Sequence, residues 1–130
     1  MFYSSNEVIN KMEKVLPKES KEEDINLDIA DVETILQEGD RYIIFEKEVV
    51  GENCVQRVLQ DSINSLPLKN VKGVLICFEI HPDLALLQLM EAVEIIEDYA
   101  HEESSIIFGT KTESSLSKEF VRVTVVFAGD

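Results

Sequence analysis

Few residues in this chain are of types and spacings that do chemistry. The foremost group is Asn26-Leu27-Asp28-Ile29-Ala30-Asp31-Val32, which sets two carboxylates and an amide within six positions. Val32, Ile35 and Leu36 follow at helical spacing before Gly39, so Asp31 reads as the N-cap of a short helix and Asp28 as an acid near its N-terminus. Both placements are favourable without any function. Cys77 and His81 are four apart, but an apolar strand running into a turn does not put such a pair on one helical face. With His101 read as a surface residue, no metal is expected, and neither cysteine nor any serine lies in a nucleophile motif.

The elements that must position these residues can be read from periodicity. Ser4-Ser5-Asn6-Glu7 is a capping-box pattern, and Val8, Ile9, Met12, Val15 and Leu16 continue it as an amphipathic helix over 1–16, stopped by Pro17. Leaving Val8, Met12 and Val15 in water is costly, so this stripe should dock on the sheet or on another copy. Positions 17–25, rich in Lys and Glu, read as a solvated connector. Tyr42 to Val50 alternates as a strand near an edge, and Gly51-Glu52-Asn53 opens a helix carrying Val55, Val58, Leu59, Ser62, Ile63 and Leu66. Val74 to Ile80 is almost wholly apolar, which marks a central strand covered on both faces. Asp83 is placed to cap a long helix to about Ala100, with Leu86, Leu89, Met90, Val93 and Ile96 inward. Ile106 to Thr110 and Val121 to Val125 close the chain as two strands. The order β-α-β-α-β-β after an N-terminal helix gives an α/β (α+β) two-layer sandwich with a four-stranded mixed sheet.

Composition limits the partners. At 130 residues, 45% hydrophobic and 29% charged, the chain suits one globular domain. Twelve basic against 26 acidic residues leave a net charge of -14, which repels nucleic acid and anionic lipid and points to proteins or cations. Two cysteines and the absence of a signal or membrane-spanning pattern suggest the cytoplasm.

Several of these patterns, in this order, resemble the FtsZ family of the tubulin superfamily. Asn26 to Val32 is similar to the family's synergy loop, Asn-x-Asp-Phe-Ala-Asp-Val, with Ile29 in place of the aromatic residue. Gly51-Glu52-Asn53, Lys72 to Ile76, Pro82-Asp83-Leu84, Glu91-Ala92, Ile106 to Thr110, Val121 to Val125 and Ala128-Gly129 extend the resemblance to about Gly129. Residues 1–16 look like the end of the family's central helix, and 26–130 like its C-terminal domain. His81 departs from the family's usual glycine before Pro-Asp.

The resemblance implies a bacterial cytoskeletal role in cell division. In the family, the loop's two acids orient the water that attacks the nucleotide of the adjacent subunit, a role that would fall to Asp28 and Asp31 acting in trans, with Asn26 and Leu27 in the contact. The partner would be an FtsZ or FtsZ-like GTPase subunit, with self-association a further outcome. The five glycines, at 39, 51, 73, 109 and 129, are too scattered for a phosphate loop, so GTP and Mg are expected only through that partner. Alone the chain is not expected to be an enzyme, and recruitment through a tail peptide after Asp130 is not expected either. The alternative is a regulatory or small-molecule-binding domain diverged from the family, which a deep apolar pocket would favour.

Overall fold

The computed structural model describes residues 2–16, 24–64 and 66–130. Most of the expected connector lies outside them. Helix α1, Ser5–Val15, starts at the expected capping box: the Ser4 hydroxyl accepts the Glu7 N–H at 3.1 Å and the Glu7 carboxylate accepts the Ser4 N–H at 3.0 Å. There follow α2, Ile29–Leu36; β1, Arg41–Val50; α3, Cys54–Asn64; β2, Val71–Ile80; α4, Leu86–Tyr99; β3, Ser105–Thr112; and β4, Phe120–Gly129.

The four strands form one mixed sheet in the order β1-β4-β2-β3, with β4 antiparallel to β1 and β2, and β2 parallel to β3. The apolar β2 is interior and the half-polar β1 is at an edge, as their patterns require. Alternation then assigns the faces. Val74, Ile76, Phe78, Val121, Val123, Val125 and Phe127 face α3 and α4, while Leu75, Cys77, Val126 and Ala128 face α1 and α2. Helices therefore cover the sheet on both faces, which makes it the middle of three layers rather than one of the two expected, and β2 and β4 have no wet side over this stretch.

α1 docks within its own chain. Val8 and Met12 are fully buried with Ile35 of α2 and Leu75 of β2, and Tyr3 donates its N–H to the Tyr42 carbonyl at 2.9 Å. Beyond the helices this face carries charge. Arg122 bridges Glu48 and Glu79 at 2.7 Å each, so neighbouring strands present alternating signs.

The long helix departs from expectation at its start. Its N-cap is Ala85, with no side-chain cap bond; Asp83 lies two residues earlier and pairs with Lys118 at 3.2 Å. Its buried stripe is Leu89, Ala92, Val93 and Ile96, while Leu86 and Met90 are exposed. The angular position of that stripe is set by α3, against which α4 packs, and spacing within α4 alone does not define it. Ala92, fully buried, belongs to the same core cluster as the buried residues of α3.

Candidate functional site

The Asp28 and Asp31 segment starts from the open side of β3, whose outward N–H groups need acceptors. Asp24 and Ile25 supply them. Thr110 donates its N–H to the Ile25 carbonyl at 2.8 Å, the Ile25 N–H returns to the Thr110 Oγ1 at 2.8 Å, and the Thr112 N–H donates to Asp24 Oδ1 at 2.9 Å. Leu27, expected with its neighbours in a partner contact, is turned inward and buried. Gly109 makes that possible. A Cβ there would collide with the Leu27 side chain and stand 2.6 Å from the Ile25 carbonyl oxygen. The segment is thus tied by backbone bonds on one side and an apolar anchor on the other, with Asn26 and Asp28 exposed and Asp31 half-buried.

The capping differs from expectation in one position. Asp28, not Asp31, is the N-cap of α2: its Oδ1 accepts the Asp31 N–H at 3.2 Å, and Asp31 Oδ2 accepts the Asp28 N–H at 3.0 Å. Asp28 has extended φ/ψ of -132° and 179°, which a cap needs, whereas Asp31 is already in the first helical turn. The spacing that brings two acids into one loop is therefore also a reciprocal capping box, with aspartate in the place usually held by glutamate or glutamine. The box uses one oxygen of each carboxylate. Each second oxygen lies outside it and can accept from a water or face a cation.

The same end of the sheet gathers the C-terminal ends of β1, β2 and β3. His81, placed where a glycine was expected, closes its turn with its own side chain: Nδ1 accepts the Asp83 N–H at 3.0 Å, while its carbonyl accepts the Leu84 N–H at 3.0 Å. A groove of about 250 Å³ runs from Ile25 past Ile80, Pro82, Leu84 and Leu86 to Thr112. Its exposed apolar rim on α4 was not foreseen from the sequence, because periodicity assigned Leu86 and Met90 to the core.

Cys77 and His81 do not meet as a pair: Cys77 is buried under α2 and Leu27, while His81 lies in the turn beyond the end of β2. Burial pushes the Cys77 thiol up to about 12, and the nearby Glu79 carboxylate adds to this. Burial also raises Cys54, at the start of α3. Among the described residues, no three His, Cys, Asp or Glu side chains converge as a metal site would require, and no helix is long and apolar enough to cross a membrane.

Comparison with known proteins gives this geometry a family. Residues 44–129 match the model of the FtsZ family, C-terminal domain. The chain is 28% identical over 115 residues to the cell division protein FtsZ of Helicobacter pylori (strain J99), covering 85% of this chain and 30% of that protein. A mutant FtsZ of M. jannaschii superimposes with a TM-score of 0.67 at 25% identity, over 81% of this chain and 32% of the other. An empty FtsZ dimer from the same organism gives 0.72 at 24% identity, over 94% and 36%. The chain thus spans about a third of the length of these relatives. A family match over residues 44–129, about two-thirds of the sequence, decides the matter: this chain belongs to the FtsZ family, as a C-terminal domain.

Proposed function

We propose that this domain is one side of a head-to-tail contact with an FtsZ-like GTPase subunit in a cytoskeletal process of cell division, and that it turns Asn26, Asp28 and Asp31 toward the nucleotide site of that subunit. The observation that supports this reading is the exposed Asn26–Asp31 segment, held to β3 by backbone bonds and anchored by Leu27. A loop that must place a water within tenths of an ångström benefits from such anchoring. Mg-GTP on the partner would supply the phosphoryl group and the cation. The chain's own contribution would be acceptors: Asp28 and Asp31 as carboxylates orient a water by accepting its protons, and the amide of Asn26 contacts the facing backbone.

A heterologous contact propagates only when each subunit offers both halves, so these 130 residues added by themselves, with the acid loop as their half of the contact, would cap one filament end. The test adds this chain to polymerising FtsZ of the same organism, with light scattering and phosphate release followed together. Sub-stoichiometric amounts should shorten assembly, and Asp28→Ala with Asp31→Ala should remove any stimulation of hydrolysis. If neither signal moves and sedimentation detects no complex, the reading fails.

A further inference from the structure

The two edges of the sheet are finished differently. β3 has outward N–H groups taken by Asp24 and Ile25. β1, the other edge, is 10 residues long, keeps a regular register with β4 from Arg41 to Val50, and carries neither a bulge nor a proline. Two bonds show which of its residues face away from β4. The Tyr42 carbonyl accepts the Tyr3 N–H at 2.9 Å, and the Val50 carbonyl accepts an Arg57 guanidinium N–H at 2.7 Å. Backbone groups of alternate residues point the same way, so Ile44, Glu46 and Glu48 face outward between these two plugs. Among the described residues, none of their outward N–H and C=O groups has a protein partner. A strand laid along this stretch would satisfy them all.

We propose that positions 44–48 of β1 take an extended segment of a partner protein as an added antiparallel strand, with Lys or Arg facing Glu46 and Glu48 and an apolar residue facing Ile44. Tyr3, which bridges to Tyr42 antiparallel, shows that the edge accepts that direction. Charge selects the occupant. Ile44, Glu46 and Glu48 share one face of the strand. Glu46 gives its Oε1 to Lys11 at 2.7 Å and Glu48 its Oε1 to Arg122 at 2.6 Å, which leaves Oε2 of each for an incoming cation. On the opposite face, a groove of about 450 Å³ between β1 and α3, lined by Lys47, Val49, Gln60 and Asp61, has room for the alternate side chains of the added strand. A second copy fits badly. The antiparallel register of two β1 strands that uses all three open residues sets Glu46 directly against Glu46, and it joins two chains of net charge -14. Because β1 and β3 are opposite edges, the added strand would leave the Asn26, Asp28 and Asp31 loop free.

The probe is an end-blocked peptide, Thr-Lys-Val-Lys-Val-Ile-Thr, titrated into the full chain and followed by NMR. Binding should saturate below about 1 mM. At saturation, amide exchange at Ile44, Glu46 and Glu48 should slow about tenfold while exchange at Thr110 stays unchanged. A peptide with Glu in place of both Lys should bind at least about tenfold more weakly. One N-methylated at both Lys residues keeps every side chain and should not bind, since its donors to the edge are gone. In the protein, Glu46→Pro removes an outward N–H that no ladder bond uses, so β1 should persist while peptide binding is lost. Glu46→Lys is the second variant, free of any backbone change, and should shift preference toward the Glu peptide. No binding at about 1 mM, or protection confined to other strands, overturns the proposal. Equal binding of the N-methylated peptide overturns strand addition, and equal binding of the Glu peptide overturns the basic partner. A dimer of the chain alone that Glu46→Pro dissociates puts a second copy on the edge and overturns it as well.

Discussion

Asp28 and Asp31 each serve the fold visibly, and any chemistry they do comes from the same side chains. Substitution can separate the two roles, because asparagine caps a helix about as well as aspartate but lacks the charge. Asp28→Ala should lower unfolding free energy by about 1 kcal/mol, and Asp28→Asn by well under that, in urea titrations. A loss of stimulated phosphate release in the asparagine variant, with stability kept, would then report the carboxylate itself. Cys77 gives a second check at this scale. Its thiol is held neutral by burial, so it should resist iodoacetamide at pH 8 in the native protein and react once urea unfolds it. The sign of the linkage follows: the folded value lies above the ordinary value of 9, so Cys77 favours the folded state below pH 9 and loses that contribution as pH rises toward 12.

At the scale of elements, the contact between β3 and residues 24–27 decides whether the acid loop is held or loose. Gly109 is the position on which it depends, since a methyl group there meets both Leu27 and the Ile25 carbonyl. Gly109→Ala should cost on the order of 1–3 kcal/mol by overpacking. The loss should be local: amide exchange at Ile25, Thr110 and Thr112 should accelerate, while exchange in β4 stays slow. Uniform protection after the substitution would mean that the segment accommodates a methyl by moving as a unit. β2 and the helices were legible from runs and spacing because an interior strand must be apolar and an amphipathic helix must repeat at 3.6. The start of α4 was not, since which side of a helix is inward depends on α3, a partner distant in sequence.

At the scale of the molecule, the net charge of -14 and the scattered glycines carry the expectation that this chain does not capture nucleotide by itself. Titration calorimetry of the isolated chain with Mg-GTP should give no measurable heat of binding. Micromolar affinity would reveal a nucleotide site within these 130 residues and would undo the one-sided contact proposed above.

The sequence by itself determined the order of elements, the interior place of β2, the edge place of β1 and the family to which the chain belongs, because these rest on local periodicity and collinear motifs. Tertiary structure alone decided that Asp28 rather than Asp31 caps α2, since a one-turn shift of a helix start leaves the apolar spacing of Val32, Ile35 and Leu36 unchanged. It alone turned Leu27 inward, because that depends on a gap above Gly109, some eighty residues away. The exposed first turn of α4 also needed three dimensions. Leu86 and Met90 have the spacing of core residues, and only the position of α3 leaves them in water.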